Sequence, residues 1–213
     1  MNRNRVRSRD VVVIGASAGG VEALKCVAET LPGDLDAAVF VVLHLSPAAS
    51  SVLPRILARA GPLPALHSEN GSRSVPGTIV IAPPDRHLEV GDGGCIALTQ
   101  GPRLRGYRPA VDRLFTTAAS YYGPRVVGVI LTGALDDGSA GLAAVAHAGG
   151  AAIVQDPADA VYPAMPANAL RTVPGAEIVP LARIGARIAE LVRGEAAADR
   201  PERDGRETAR LAT

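Results

Sequence analysis

Asp10-Val11-Val12-Val13-Ile14-Gly15-Ala16-Ser17-Ala18-Gly19-Gly20 decides how the rest of this chain is read. Four β-branched residues in succession, with no polar break, predict a strand buried on both faces. The small residues after Ile14 let the backbone turn sharply, and Val21-Glu22-Ala23-Leu24 opens a helical pattern. Ser17 then stands at a strand-to-helix turn, where open α/β sheets gather ligands and chemistry. Gly15-Ala16-Ser17-Ala18-Gly19 fits G-x-S-x-G, in which small neighbours expose a serine hydroxyl and helix-start amides can hold an oxyanion. The same turn would also serve as a cradle for a nucleotide phosphate, or as a tight βα turn with no chemistry.

Further apolar runs lie at residues 37–43, 126–131 and 151–154, with helical patterns near 19–31, 51–60, 110–122, 141–148, 167–172 and 181–192. Strands alternating with helices predict an α/β fold, a doubly wound, mostly parallel sheet in a Rossmann-like three-layer arrangement. Residues 86–98 alternate around Gly91-Asp92-Gly93-Gly94, a hairpin expected to lie antiparallel at one edge of the sheet. Residues 1–9 read as a flexible basic arm and 10–193 as one folded domain. From 194 to 213 the apolar period collapses into Ala, Asp, Glu and Arg, which predicts a disordered tail.

Hydrophobic residues make up 47% of the 213, but aromatics only 3%, so the core is one of Val, Leu, Ile and Ala under Ala-rich helices. A net charge of +1 exerts no general pull on nucleic acid or anionic lipid. Cys26 and Cys95 are too few for a disulfide framework, and Cys26 lies in an apolar helix pattern, as a buried thiol in a reducing compartment would. No apolar run has the length of a membrane span, and Arg3, Arg5, Arg7 and Arg9 are not followed by a signal-peptide core. The expectation is a soluble cytoplasmic protein with no direct membrane insertion. His67, His87 and His147 lack metal-ligand spacing, and neither metal nor cofactor is expected.

Three of the most apolar strands end in residues able to do chemistry: Ser17, His44 and the pair Asp136 and Asp137. In a parallel sheet the carboxyl ends share one edge, so these side chains can converge. A nucleophilic serine needs a base for its proton and a carboxylate to orient that base. Each residue also has a plainer reading. His44 could hydrogen-bond a loop, and either aspartate could cap the helix that follows Gly138-Ser139. The physics of the residues leaves Asp136 and Asp137 equivalent.

Val13-Ile14-Gly15-Ala16-Ser17-Ala18-Gly19-Gly20, His44-Leu45-Ser46-Pro47, Gly106-Tyr107-Arg108-Pro109-Ala110-Val111-Asp112 and Leu131-Thr132-Gly133-Ala134-Leu135-Asp136-Asp137-Gly138 occur in that order. Gln155-Asp156-Pro157 and Met165-Pro166 follow. Together they resemble the catalytic domain of chemotaxis protein-glutamate methylesterases (CheB-type), over about residues 10 to 192. The resemblance implies Ser17 as nucleophile, His44 as base and Asp137 as orienting carboxylate, with backbone amides near Ala18 and Ala134 as oxyanion donors. It implies hydrolysis of glutamyl methyl esters, and deamidation of glutamines in some members, on methylated chemoreceptor cytoplasmic domains as partners. Arg105, Arg108 and Met165 are expected at the substrate, and Arg103 and Arg105 are expected to steer an acidic helix. Ala18 and Ala134 replace the Thr and Met of many relatives. The family's usual form carries an amino-terminal receiver domain, which residues 1–9 do not supply, so activity without phosphorylation control is expected. The alternatives are a nucleotide-binding α/β module, for which a P-loop Lys-Ser/Thr and a G-x-G-x-x-G are both lacking, and a catalytically idle interaction domain.

Overall fold

A computed structural model describes residues 9–44 and 51–194. The basic arm before Arg9, the segment Leu45-Ser46-Pro47, and the expected tail apart from Gly194 lie outside the described residues. Among the described residues, nine strands and six α-helices, numbered in chain order, build the domain. The strands are β1 (Val11–Ala16), β2 (Ala38–Leu43), β3 (Ala65–His67), β4 (Ile79–Ile81), β5 (His87–Val90), β6 (Ile96–Thr99), β7 (Val126–Ile130), β8 (Ala151–Gln155) and β9 (Glu177–Val179). The helices are α1 (Gly20–Thr30), α2 (Leu53–Ala60), α3 (Val111–Tyr122), α4 (Ser139–His147), α5 (Ala164–Thr172) and α6 (Leu181–Arg193).

Seven strands form one sheet in the order β3-β4-β2-β1-β7-β8-β9, with every pairing parallel. Side chains alternate along a strand, which is why β1 has to be apolar throughout. Val12, Ile14 and Ala16 enter one core with Leu24 and Val27 of α1 and Ile184 and Ile188 of α6. Val11 and Val13 enter the other with Val111, Leu114 and Phe115 of α3. Gly15 lets α3 come close, since a Cβ there would overlap the Val111 side chain. That approach sets the amino end of α3 beneath the carboxyl end of β1.

The chain leaves β1 in two directions, to β2 on one side and later to β7 on the other. This makes the carboxyl end of β1 the topological switch point, the expected crevice of such a sheet.

The hairpin forms, but not at an edge of the main sheet. β5 and β6 make a separate antiparallel pair. Leu88, Val90 and Ile96 share the α3 core, and Val90 N donates to Thr117 Oγ1 of α3 at 3.0 Å, so a helix and not a strand covers the hairpin. The edges of the parallel sheet are instead β3 and β9, three residues each. So short a strand as β9 carries no readable period. α5 starts three residues earlier than its apolar pattern, because Pro166 falls in the first turn, where a missing N–H costs nothing.

Candidate active site

Ser17 follows β1 directly and is locked by its own backbone. Its N–H donates to Thr132 O at 3.0 Å across the switch point, and its carbonyl accepts from Gly20 N at 2.9 Å at the start of α1. The turn holds its serine without backbone strain. Its left-handed residue is Gly19 (φ 73°), which bears that conformation without steric cost, while Ser17 keeps a negative φ. Opposite, Gly133 allows the turn after β7 to close against the serine, since a Cβ there would lie 2.8 Å from Ser17 Cβ.

His44 follows β2 at the matching position. The ladder pairs Ala16 with Leu43, and His44 N continues it to Ala16 O at 3.1 Å, so Ser17 and His44 leave neighbouring strands side by side. Such strands lie about 4.8 Å apart. The imidazole is nearly buried, at 6% side-chain exposure, and its Nε2 lies 2.7 Å from Asp137 Oδ2.

Asp137 comes from the loop between β7 and α4 and is fully enclosed. Its Oδ2 also accepts from Val111 N at 2.7 Å, and its Oδ1 from Asp112 N at 3.1 Å, the first two amides of α3. A carboxylate on the amino end of a helix is favoured both by the unpaired amides and by the helix dipole. Burial pushes the carboxyl pKa up, but the His44 hydrogen bond and the two amides outweigh it, and the net shift is downward. Asp137 is therefore ionised and only accepts. Nε2 of His44 must carry a proton, and in the neutral imidazole Nδ1 is then the lone pair. That nitrogen is buried and, among the described residues, has no partner.

Asp112 returns the arrangement: its Oδ1 accepts from Gly141 N at 2.7 Å in the first turn of α4. The two helices thus cap each other across their contact, fixing Asp137 by packing as well as by bonds. Asp136, in contrast, is half exposed and paired with Arg105. The adjacent aspartates, indistinguishable in the sequence, have opposite environments.

Sequence reasoning missed Tyr107. Its ring stacks on the His44 imidazole with centroids 3.7 Å apart and planes 4° from parallel. The stack fixes the ring plane and offers a π face to the imidazolium. Tyr107→Leu is expected to lower kcat by about tenfold, while Tyr107→Phe keeps most of it; steady-state kinetics on one ester checks both. Thr132 and Gln155 were missed as well. Thr132 Oγ1 accepts from Tyr162 N (2.8 Å) and donates to Ala18 O (3.1 Å), binding the serine turn to the 156–163 loop. Gln155, 1% exposed at the end of β8, accepts from Thr132 N at 2.8 Å and donates to Asp159 at 2.9 Å. A glutamine closing a buried strand needs such partners, and that was the available signal.

Ala18 and Ala134 flank the serine, and among the described residues neither amide donates to another group of the chain. The other expected contacts are otherwise employed. Arg108 is held by Asp85 (Nη2 2.8 Å, Nε 3.1 Å) and by the carbonyls of Gln100 and Gly101. Arg103 shares Asp85, and Arg105 pairs with Asp136. Three guanidinium groups thus meet two carboxylates, so the loop keeps one positive charge in excess while each arginine is held in place by an ion pair. Met165 is fully buried and packs against the Gly133 turn. Arg108→Ala should lower Tm by a few degrees and Arg105→Ala, in an exposed pair, by about a degree or less; thermal unfolding of both variants measures the difference.

Fold and site together define a doubly wound α/β protein whose serine, Asp-bound histidine and capped carboxylate lie along the carboxyl edge of one parallel sheet, at its switch point. The family model described as CheB methylesterase matches residues 12–188. The chain belongs to the CheB methylesterase family. The catalytic domain of the Thermotoga maritima CheB methylesterase superposes with a TM-score of 0.82 at 32% identity, covering 86% of this chain and 99% of that one. The protein-glutamate methylesterase FrzG of Myxococcus xanthus is 38% identical over 182 residues, 85% of this chain and 54% of the relative. A protein-glutamate methylesterase/protein-glutamine glutaminase of Xanthomonas campestris pv. campestris is 37% identical over 191 residues, 88% of this chain and 53% of the relative. The chain spans about half the length of these curated relatives. Among the described residues, no helix is long and apolar enough to cross a membrane.

Proposed function

We propose that this chain is a serine esterase that hydrolyses glutamyl methyl esters, and deamidates glutamines by the same steps, on the cytoplasmic domains of chemoreceptors. The observation that carries the reading is the polarised histidine: Nε2–H on the enclosed carboxylate of Asp137, Nδ1 free, one strand away from Ser17. Nδ1 of His44 takes the proton from Ser17 Oγ as the oxygen attacks the ester carbonyl. The amides of Ala18 and Ala134 receive the oxyanion, in the way preorganised donors stabilise developing charge. The imidazolium passes its proton to the leaving methoxide, releasing methanol. Water, deprotonated by the same nitrogen, then cleaves the acyl-enzyme to glutamate and free serine. The ring is turned the opposite way from the serine-protease triad, in which Nδ1 faces the aspartate.

The test is methanol release from methylated chemoreceptors, with covalent labelling by a serine-directed phosphonate, for the wild type and Ser17→Ala. Release and labelling that both vanish in the variant support the reading. An unlabelled protein that binds a nucleotide tightly at the 15–20 turn would overturn it.

A further inference from the structure

Three of the eight large apolar side chains exposed among the described residues, Leu135, Val161 and Tyr162, come from the two loops beside Ser17. Leu135 is 57% exposed, Val161 73% and Tyr162 48%. Gly133 N donates to Tyr162 O at 2.9 Å, and Tyr162 N donates to Thr132 Oγ1 at 2.8 Å, so the two loops are tied together as one border. A Cβ built on Gly19 would lie 3.3 Å from Val161 Cβ, which places Val161 over the serine turn itself. Leu135 is anomalous twice. It is exposed, and it holds a left-handed backbone (φ 65°) that a leucine adopts at a steric cost, with its carbonyl fixed by Asn168 Nδ2 at 2.5 Å. Strained residues persist where a function uses them. The neighbouring charges, Arg105 and Asp136, cancel each other.

We infer that Leu135, Val161 and Tyr162 form an apolar border to the site that receives an aliphatic side chain of the substrate polypeptide, next to the residue carrying the ester. This rests on the esterase reading above and adds to it a specificity for sequence context. The occupant follows from position. A side-chain ester seated at Ser17 brings its adjoining backbone beside these two loops, which lie against the serine turn, and a charge-neutral apolar border selects apolar neighbours.

Two fluorescein-labelled peptides test this, each with one glutamate γ-methyl ester flanked either by leucines or by serines, together with the small ester p-nitrophenyl acetate. Wild type should favour the leucine peptide over the serine peptide about tenfold in kcat/KM, chiefly through KM. In Leu135→Asn and in Val161→Ser that preference should collapse to about twofold. Asparagine suits the left-handed backbone, so Leu135→Asn should melt no lower than wild type, which separates lost recognition from lost folding. Ile178→Asn, at an exposed apolar site on β9, should leave the preference at its wild-type value. Anisotropy of the uncleaved peptides on Ser17→Ala reads the same preference as binding. If no ester is turned over, the esterase reading fails while this binding still judges the border. Equal binding of the two peptides, or a preference unmoved in the border variants, overturns the inference. So does a change confined to self-association on analytical ultracentrifugation, which would make the border a contact between copies.

Discussion

Ser17→Ala and His44→Ala are each expected to cut kcat by about 10⁴- to 10⁶-fold, and the double variant by little more than either. In the proposed mechanism the two residues share one proton transfer, so removing either end abolishes the step and the second loss has nothing left to remove. The structure sharpens this expectation at His44. Its Nε2–H is committed to Asp137 at 2.7 Å, so Nδ1 is the ring nitrogen left to act. Residual turnover in all three variants should be similar, because the amide donors and the binding surfaces are untouched. Losses that multiply in the double variant would show that the residues act in separate steps.

What the sequence disclosed followed from periodicity and strand ends. The continuous runs of β1, β2 and β7 could only be strands buried on both faces, and the parallel order that follows puts Ser17, His44 and Asp137 on one edge. What it hid depended on long-range approach. β9 and the detached hairpin owe their places to the helices that cover them, which a local pattern does not encode. Tyr107 reaches His44 from a loop 63 residues away, held by the backbone bonds between Leu104 and Tyr107, and nothing in its neighbourhood marks the ring as a stacking partner. The three arginines of that loop looked like free charge because Asp85, up to 23 residues upstream, and Asp136, some 30 downstream, are invisible as partners until the chain is folded. Met165 sat in a motif that suggested a substrate contact, and only its complete burial shows that it packs the turn.

The choice between the adjacent aspartates is where structure adds most, and it carries the second large effect. Asp137→Asn should lower kcat about 10³- to 10⁴-fold, and Asp136→Asn by less than about threefold. At 136 the change removes one exposed ion pair with Arg105, worth at most about 1 kcal/mol. At 137 three donors converge on the carboxylate: His44 Nε2, Val111 N and Asp112 N. An asparagine has one accepting oxygen, so its NH₂ must oppose either Asp112 N or both His44 Nε2 and Val111 N, which share Oδ2. If it faces Asp112 N, a buried amide is left unpaired at a cost of about 1–3 kcal/mol, and the imidazolium loses its counter-charge. If it faces His44, the ring takes the other tautomer and Nδ1 no longer has a lone pair to accept the serine proton. Either way turnover falls, while the hydrophobic packing of α3 on α4 stays in place. The same carboxylate gives a pH signature. Its folded pKa is depressed, so its stabilising contribution is full above the unfolded value of about 3.9 and is lost as pH falls through the lower folded value. The stability gap between wild type and Asp137→Asn should therefore be constant near neutrality and shrink below about pH 4, as denaturant titrations at stepped pH would record. Equal kinetic losses at 136 and 137 would mean that Asp137 is only the cap of α3 and not the partner of His44, while a gap that persists unchanged into acid would mean that neither the amides nor His44 hold its carboxyl pKa down.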